Sequence, residues 1–120
     1  MKYILLIYSD EKQAYQPGTP EFGEMVGAYN AFGEAARAAG VFVYGEALHD
    51  TPAATTVRVR DGERLVTDGP FAETKEQLGG YYVLECKDLD EAIAWAARIP
   101  TASHAHQNGS IEVRPLMVWD

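Results

Sequence analysis

The order of hydrophobic periodicities predicts an α+β domain of the ferredoxin-like, split β-α-β kind with an inserted β-hairpin. Three observations predict it. Residues 3–8 and 81–86 are apolar at almost every position, two longer stretches repeat apolar residues at helical steps, and Asp61-Gly62 joins two β-prone runs. In that topology the first and third core strands lie in the middle of a four-stranded sheet, where both faces are covered. The two greasy runs fall at those places.

The elements follow in order. Tyr3-Ile4-Leu5-Leu6-Ile7-Tyr8 reads as the first strand, and the polar segment 9–19 with Pro17-Gly18 reads as a loop. Thr19-Pro20-Glu21 combines an N-cap, a proline at the first helical position and an acid in the first turn, which favours helix initiation. Phe22, Met25, Val26, Tyr29, Phe32 and Ala36 then form one apolar stripe on a helix ending near Gly40. Val41 to Tyr44 is a second strand, and Gly45 to Pro52 is expected to leave the sheet. Thr55 to Arg60 and Glu63 to Thr67 pair through Asp61-Gly62, with Val57 opposite Val66 and Arg58 opposite Leu65, as a ribbon projecting from the main sheet.

Beyond Asp68-Gly69-Pro70-Phe71, the polar stretch to Leu78 is expected to hold one or two helical turns. Tyr81 to Cys86 is the third core strand. Asp88-Leu89-Asp90-Glu91 caps a second helix whose stripe reads Leu89, Ala92, Ile93, Ala96 and Ile99, stopped by Pro100. The last strand spans Ile111 to Val118, and Pro115 argues for an edge position.

Composition narrows the function classes. In 120 residues, 18 acidic against ten basic side chains leave a net charge of −8, a field that repels phosphate backbones and anionic lipid heads; no nucleic-acid or membrane partner is expected. A lone cysteine, Cys86, excludes an internal disulfide and fits a reducing cytoplasm. The six-residue apolar run near the start is too short for a secretory signal, and no stretch approaches the roughly 18 apolar residues of a membrane span. One domain, 1–120, is expected. Two helices cover only one face of a four-stranded sheet, so a second copy is the expected cover for the other, giving a two-fold homodimer.

The run Asp68-Gly69-Pro70-Phe71-Ala72-Glu73-Thr74-Lys75-Glu76-Gln77-Leu78-Gly79-Gly80-Tyr81-Tyr82 resembles the DGPF-motif branch of the YCII-related proteins. The likeness continues through Asp88-Leu89-Asp90-Glu91-Ala92, Trp95-Ala96-Ala97-Arg98-Ile99-Pro100 and Ile111-Glu112-Val113-Arg114-Pro115. The resemblance implies ferredoxin-like subunits paired into a dimeric α/β barrel, an enzymatic role with no assigned reaction, and association with an extracytoplasmic-function sigma factor. The plain YCII-related branch carries an acid/base histidine near the start of the first helix, paired with an aspartate. Residues 21–29 of this chain contain no histidine, so that dyad does not transfer.

Asp68 is the leading catalytic candidate, because Gly69 and Pro70 hold its carboxylate in place as a general base or ligand anchor requires. Turn chemistry accounts for the same residues equally well, since an aspartate before Gly-Pro often accepts hydrogen bonds from the next amides. Glu73 and Lys75 could add an acid and a cation to the same rim, or simply form a solvated face. Tyr29 and Tyr82, with Phe71, are candidates for a small-molecule pocket; Tyr82 follows a Gly-Gly pair that allows close approach. His49, His104 and His106 lie on polar loops whose spacing does not define a metal site, and neither metal nor cofactor is expected. Arg58, Arg60 and Arg64 are expected to pair with Glu63 and its neighbours. The functional alternatives are an acid/base enzyme at Asp68, a non-catalytic ligand-binding or accessory protein, and an interaction module using the ribbon.

Overall fold

Central placement of the two greasiest strands organises the molecule. The computed structural model describes residues 1–103 and 108–119. β1 (Lys2–Ser9) pairs antiparallel with β5 (Gln77–Glu85) on one side and β6 (Ser110–Pro115) on the other, and β2 (Phe42–Ala47) closes the far edge, giving the order β2-β5-β1-β6. β3 (Thr55–Arg60) and β4 (Glu63–Asp68) form a separate two-stranded ribbon. Val57 pairs with Val66 and Arg58 with Leu65, and both turn residues take positive φ, 53° at Asp61 and 77° at Gly62, which suits the twist of a tight hairpin. Among the described residues the arginines of the ribbon form no ion pair with Glu63; each is exposed, and Arg60 Nη1 donates instead to the Val59 carbonyl at 3.0 Å.

Both helices lie on one face. α1 (Pro20–Ala38) starts with the Thr19 hydroxyl accepting from the Phe22 amide, and α2 (Leu89–Ala96) starts with the Asp88 carboxylate accepting from the Glu91 amide. The core beneath them joins Tyr3, Leu5 and Ile7 of β1 and Leu84 of β5 to Phe32 and Ala36 of α1 and Ala92, Trp95 and Ala96 of α2. Trp95 stands edge-on to Phe32 with ring centroids 5.9 Å apart.

Four sequence expectations need correction. Gly45, Glu46 and Ala47 do not leave the sheet: they extend β2 and pair with Tyr82, Tyr81 and Gly80. The segment 71–78 holds no helix. Gln77 and Leu78 instead lengthen β5 by pairing with Ser9 and Tyr8, and the Gln77 side chain ties the preceding loop down by donating to the Thr74 carbonyl and accepting from the Glu11 amide. The buried face of α2 is Ala92, Trp95 and Ala96, followed by Ile99, while Leu89 and Ile93 stay about half exposed, because the indole takes the place against Phe32. β6 ends at Pro115, and Met117, Val118 and Trp119 run on as an exposed apolar tail. Among the described residues no helix is long and apolar enough to cross a membrane.

Candidate functional site

The apolar stripe of α1 is only partly spent on the core. Phe32, Gly33 and Ala36 are its buried positions, whereas Met25 is half-buried and Val26 exposed toward the N-terminal end. Between this helix and the β2–β5 side of the sheet lies a cavity of about 600 Å³, within the range of small-molecule sites.

Glycines make the room. Tyr82 points from β5 to the helix side, and its ring lies over Gly45, where any Cβ would stand 2.5 Å from its Cδ1 atom. The ring leans on Phe32, centroids 4.9 Å apart, and on Phe42, 6.2 Å apart. Tyr29 reaches across from α1 and shares a short hydrogen bond with the buried hydroxyl of Thr101, in the 3-10 turn Pro100–Ala102. Arg37, in the last turn of α1, folds back over Gly33, where a Cβ would meet its Nη1 at 3.0 Å. Its guanidinium carbon sits 4.3 Å above the centre of the Phe42 ring.

Electrostatics follow from that packing. Burial pushes the Tyr82 hydroxyl up to about 12, helped by the nearby Tyr29 and opposed by Arg37. Burial also raises Tyr29, against the lowering effect of its bond to Thr101. Both phenols are therefore neutral hydrogen-bonding groups near neutral pH. Arg37 is the one cationic side chain among the described lining residues, and no carboxylate among the described residues forms an ion pair with it. The described lining also carries two carboxylates, Glu34 and Glu46, and the phenols of Tyr29 and Tyr82, which can hydrogen-bond to a bound molecule.

Of the residues singled out from the sequence, the structure brings Tyr29 and Tyr82 together in this cavity. It does not bring Asp68 there. Asp68 is the exposed last residue of β4, opposite Thr55, and its carboxylate accepts no turn hydrogen bond among the described residues. Its glycine neighbour does the local work: Gly69, at φ 95°, donates to the Ala54 carbonyl at 2.7 Å and accepts from the Thr56 hydroxyl at 2.8 Å, closing the base of the ribbon. Phe71 is 78% exposed, and Glu73 and Lys75 are exposed in the following loop. His49 is exposed, and His104 and His106 lie outside the described residues; among those described no group of three or more His, Cys, Asp or Glu side chains is gathered. Cys86 is buried, and burial raises its thiol. The sequence reading missed Arg37, Phe42 and Gly45. Glycines inside a helix and inside a strand, Gly33 and Gly45, were the available signal, because each costs stability unless something must approach closely.

An antiparallel four-stranded sheet with two helices on one face and a cavity beneath the first defines a small α+β domain built around a ligand-sized pocket. The chain belongs to the YCII-related family: residues 1–120 match the YCII-related domain. It is similar to Uncharacterized protein R00369 of Rhizobium meliloti (strain 1021), 39% identical over 119 residues, which are 99% of this chain and 94% of that protein.

Proposed function

We propose that this protein is a homodimer that binds a small, largely apolar molecule bearing a carboxylate. The observation that carries the reading is the cavity of about 600 Å³ with Arg37 at its side and no carboxylate of the described residues paired to it. A guanidinium stacked on an aromatic ring keeps its outward N–H groups available in a fixed fork, the geometry that receives a carboxylate through two parallel hydrogen bonds. Phe42 and the Tyr82 ring supply apolar walls, and the Tyr82 hydroxyl, which bonds to none of the described residues, supplies an orienting donor.

Pairing is supported by the sheet. Its face away from the helices carries Ile4, Leu6, Tyr81 and Val83, which alternate in register with the buried helix-side residues and are covered by no helix among the described residues. A second sheet laid against this face covers it in an isologous contact and closes a barrel.

Thermal melting with a panel of aromatic and branched aliphatic carboxylates tests the ligand reading. At a hundredfold excess over Kd, binding adds about 2.7 kcal/mol and raises the melting temperature by several degrees. The gain should vanish in Arg37→Gln for carboxylates but persist for the matching neutral amides. No protection by any carboxylate at millimolar concentration, with no small molecule retained in native mass spectrometry, overturns it.

A further inference from the structure

The chain exposes far more surface than its mass requires. Its accessible surface is 8359 Å², against about 6,400 Å² for a compact monomer of 13.2 kDa, an excess of about 2,000 Å². The open sheet face cannot account for this. Four strands about 4.8 Å apart, the longer ones eight or nine residues, span a footprint of roughly 500 Å². Away from that face, exposed apolar side chains gather on the ribbon, at Val57, Val59 and Val66, and on the tail, at Met117, Val118 and Trp119.

Cross-strand partners and alternate residues share a face, so Val57, Val59 and Val66 line one side of the ribbon, with Thr55 and Asp68 at its base and Arg64 toward its tip. The three valines are 57%, 62% and 57% exposed. The opposite side holds Thr56, Thr67, Arg58, Arg60, Glu63 and Leu65, the composition of a wetted face. The valine side differs in holding three adjacent exposed valines, flanked by Arg64 and Asp68.

We infer that the β3–β4 ribbon is an intersubunit arm whose Val57, Val59 and Val66 face packs on a second copy of this chain. The inference rests on the pairing proposed above and extends it beyond the sheet. The two sheet faces alone would bury roughly 1,000 Å² in total, short of the standard interface of about 1,600 Å², so a second apolar patch such as the valine side is needed to reach it. Charge permits the approach. Arg58, Arg60 and Arg64 balance Asp61, Glu63 and Asp68, so the ribbon is neutral and the rest of the chain holds the whole −8. A neutral arm meets an acidic partner without the like-charge repulsion that two bodies of −8 exert on each other. Asp68 lies on the docking side, so the same contact draws it out of water.

Sedimentation equilibrium on the full-length chain tests the arm, comparing wild type, the double variant Val57→Asp and Val66→Asp, and Leu6→Arg on the open sheet face. The valine side chains are more than half exposed, so their replacement should leave the far-UV circular dichroism unchanged while weakening dimerisation more than tenfold. A smaller change, with Leu6→Arg dissociating the dimer, overturns the arm and leaves the sheet pairing standing; the ribbon then faces water or a different partner. Dissociation by the valine variant but not by Leu6→Arg supports the arm and overturns the sheet pairing. A monomeric wild type overturns both. Should the valine variant misfold, isotope-filtered NMR on a dimer of labelled and unlabelled wild-type chains decides: intersubunit contacts from the methyls of Val57, Val59 and Val66 support the arm, and their absence overturns it.

Discussion

Gly45 and Tyr82 are a matched pair, and the cavity depends on the match. A Cβ at position 45 would stand 2.5 Å from Cδ1 of the Tyr82 ring and 3.1 Å from the Tyr81 carbonyl oxygen, so even Gly45→Ala must push the ring toward the helix. Such overpacking costs about 1–3 kcal/mol, measurable by urea unfolding, and carboxylate protection should be lost along with the space. The phenol itself sets a pH limit. Its folded value of about 12 lies above the ordinary 10, so between these values the native state keeps a proton that the unfolded chain has released. That contribution is fully present below pH 10 and is lost as pH rises toward 12. Denaturant midpoints should fall over this interval, and less steeply in Tyr82→Phe.

At the scale of elements, the second helix separates pattern from packing. Leu89, Ala92, Ile93 and Ala96 make an apolar stripe as regular as the one the fold uses. Trp95 turns inward through tertiary contacts, its ring edge-on to Phe32 within the core and covered by the Arg98 guanidinium 4.4 Å from its centre. Trp95→Ala should therefore cost about 3–5 kcal/mol, while Ile93→Ala, at a position half exposed, should cost less than about 1. Chemical denaturation of the two variants checks which face is buried. β1 and β5 were legible because runs apolar at every position have one natural place, the middle of the sheet. The hairpin was legible because Asp61-Gly62 accepts positive φ at both turn residues. Segment 71–78 was not, since Gln77 and Leu78 become strand only by pairing with Ser9 and Tyr8, nearly seventy residues earlier in the chain. The cavity was half legible. Tyr29 and Tyr82 stand out as aromatics on a stripe and after a glycine pair, but the seats of the Arg37 guanidinium and the Tyr82 ring in its wall depend on missing side chains at Gly33 and Gly45, which hydrophobic periodicity does not register. Asp68-Gly69-Pro70-Phe71 is the most conspicuous motif in the chain, yet within one chain its visible work is Gly69 fastening the ribbon to Ala54 and Thr56.

For the whole molecule, shape carries the argument. Its extents are 49 × 46 × 19 Å, and the radius of gyration of 16.2 Å exceeds the value of about 14 Å for a compact domain of this length. The shortest dimension has room for one sheet and one layer of helices, each about 10 Å thick, so no third layer shields Ile4, Leu6 and Val83. A chain this thin has a small core for its length, and the proposed pairing adds the missing apolar burial. Stability should then be inseparable from concentration, because unfolding of a dimer releases two chains and mass action favours the folded pair as protein is added. The melting temperature of wild type should climb steadily from 1 to 100 µM. Leu6→Arg, which sets a guanidinium in the centre of the open sheet face, should melt lower and at one temperature over the same range. A wild-type melting temperature that ignores concentration would mean the thin monomer is sufficient by itself, and the half-buried tyrosine and aliphatic side chains of that face would then have to be stable against water alone.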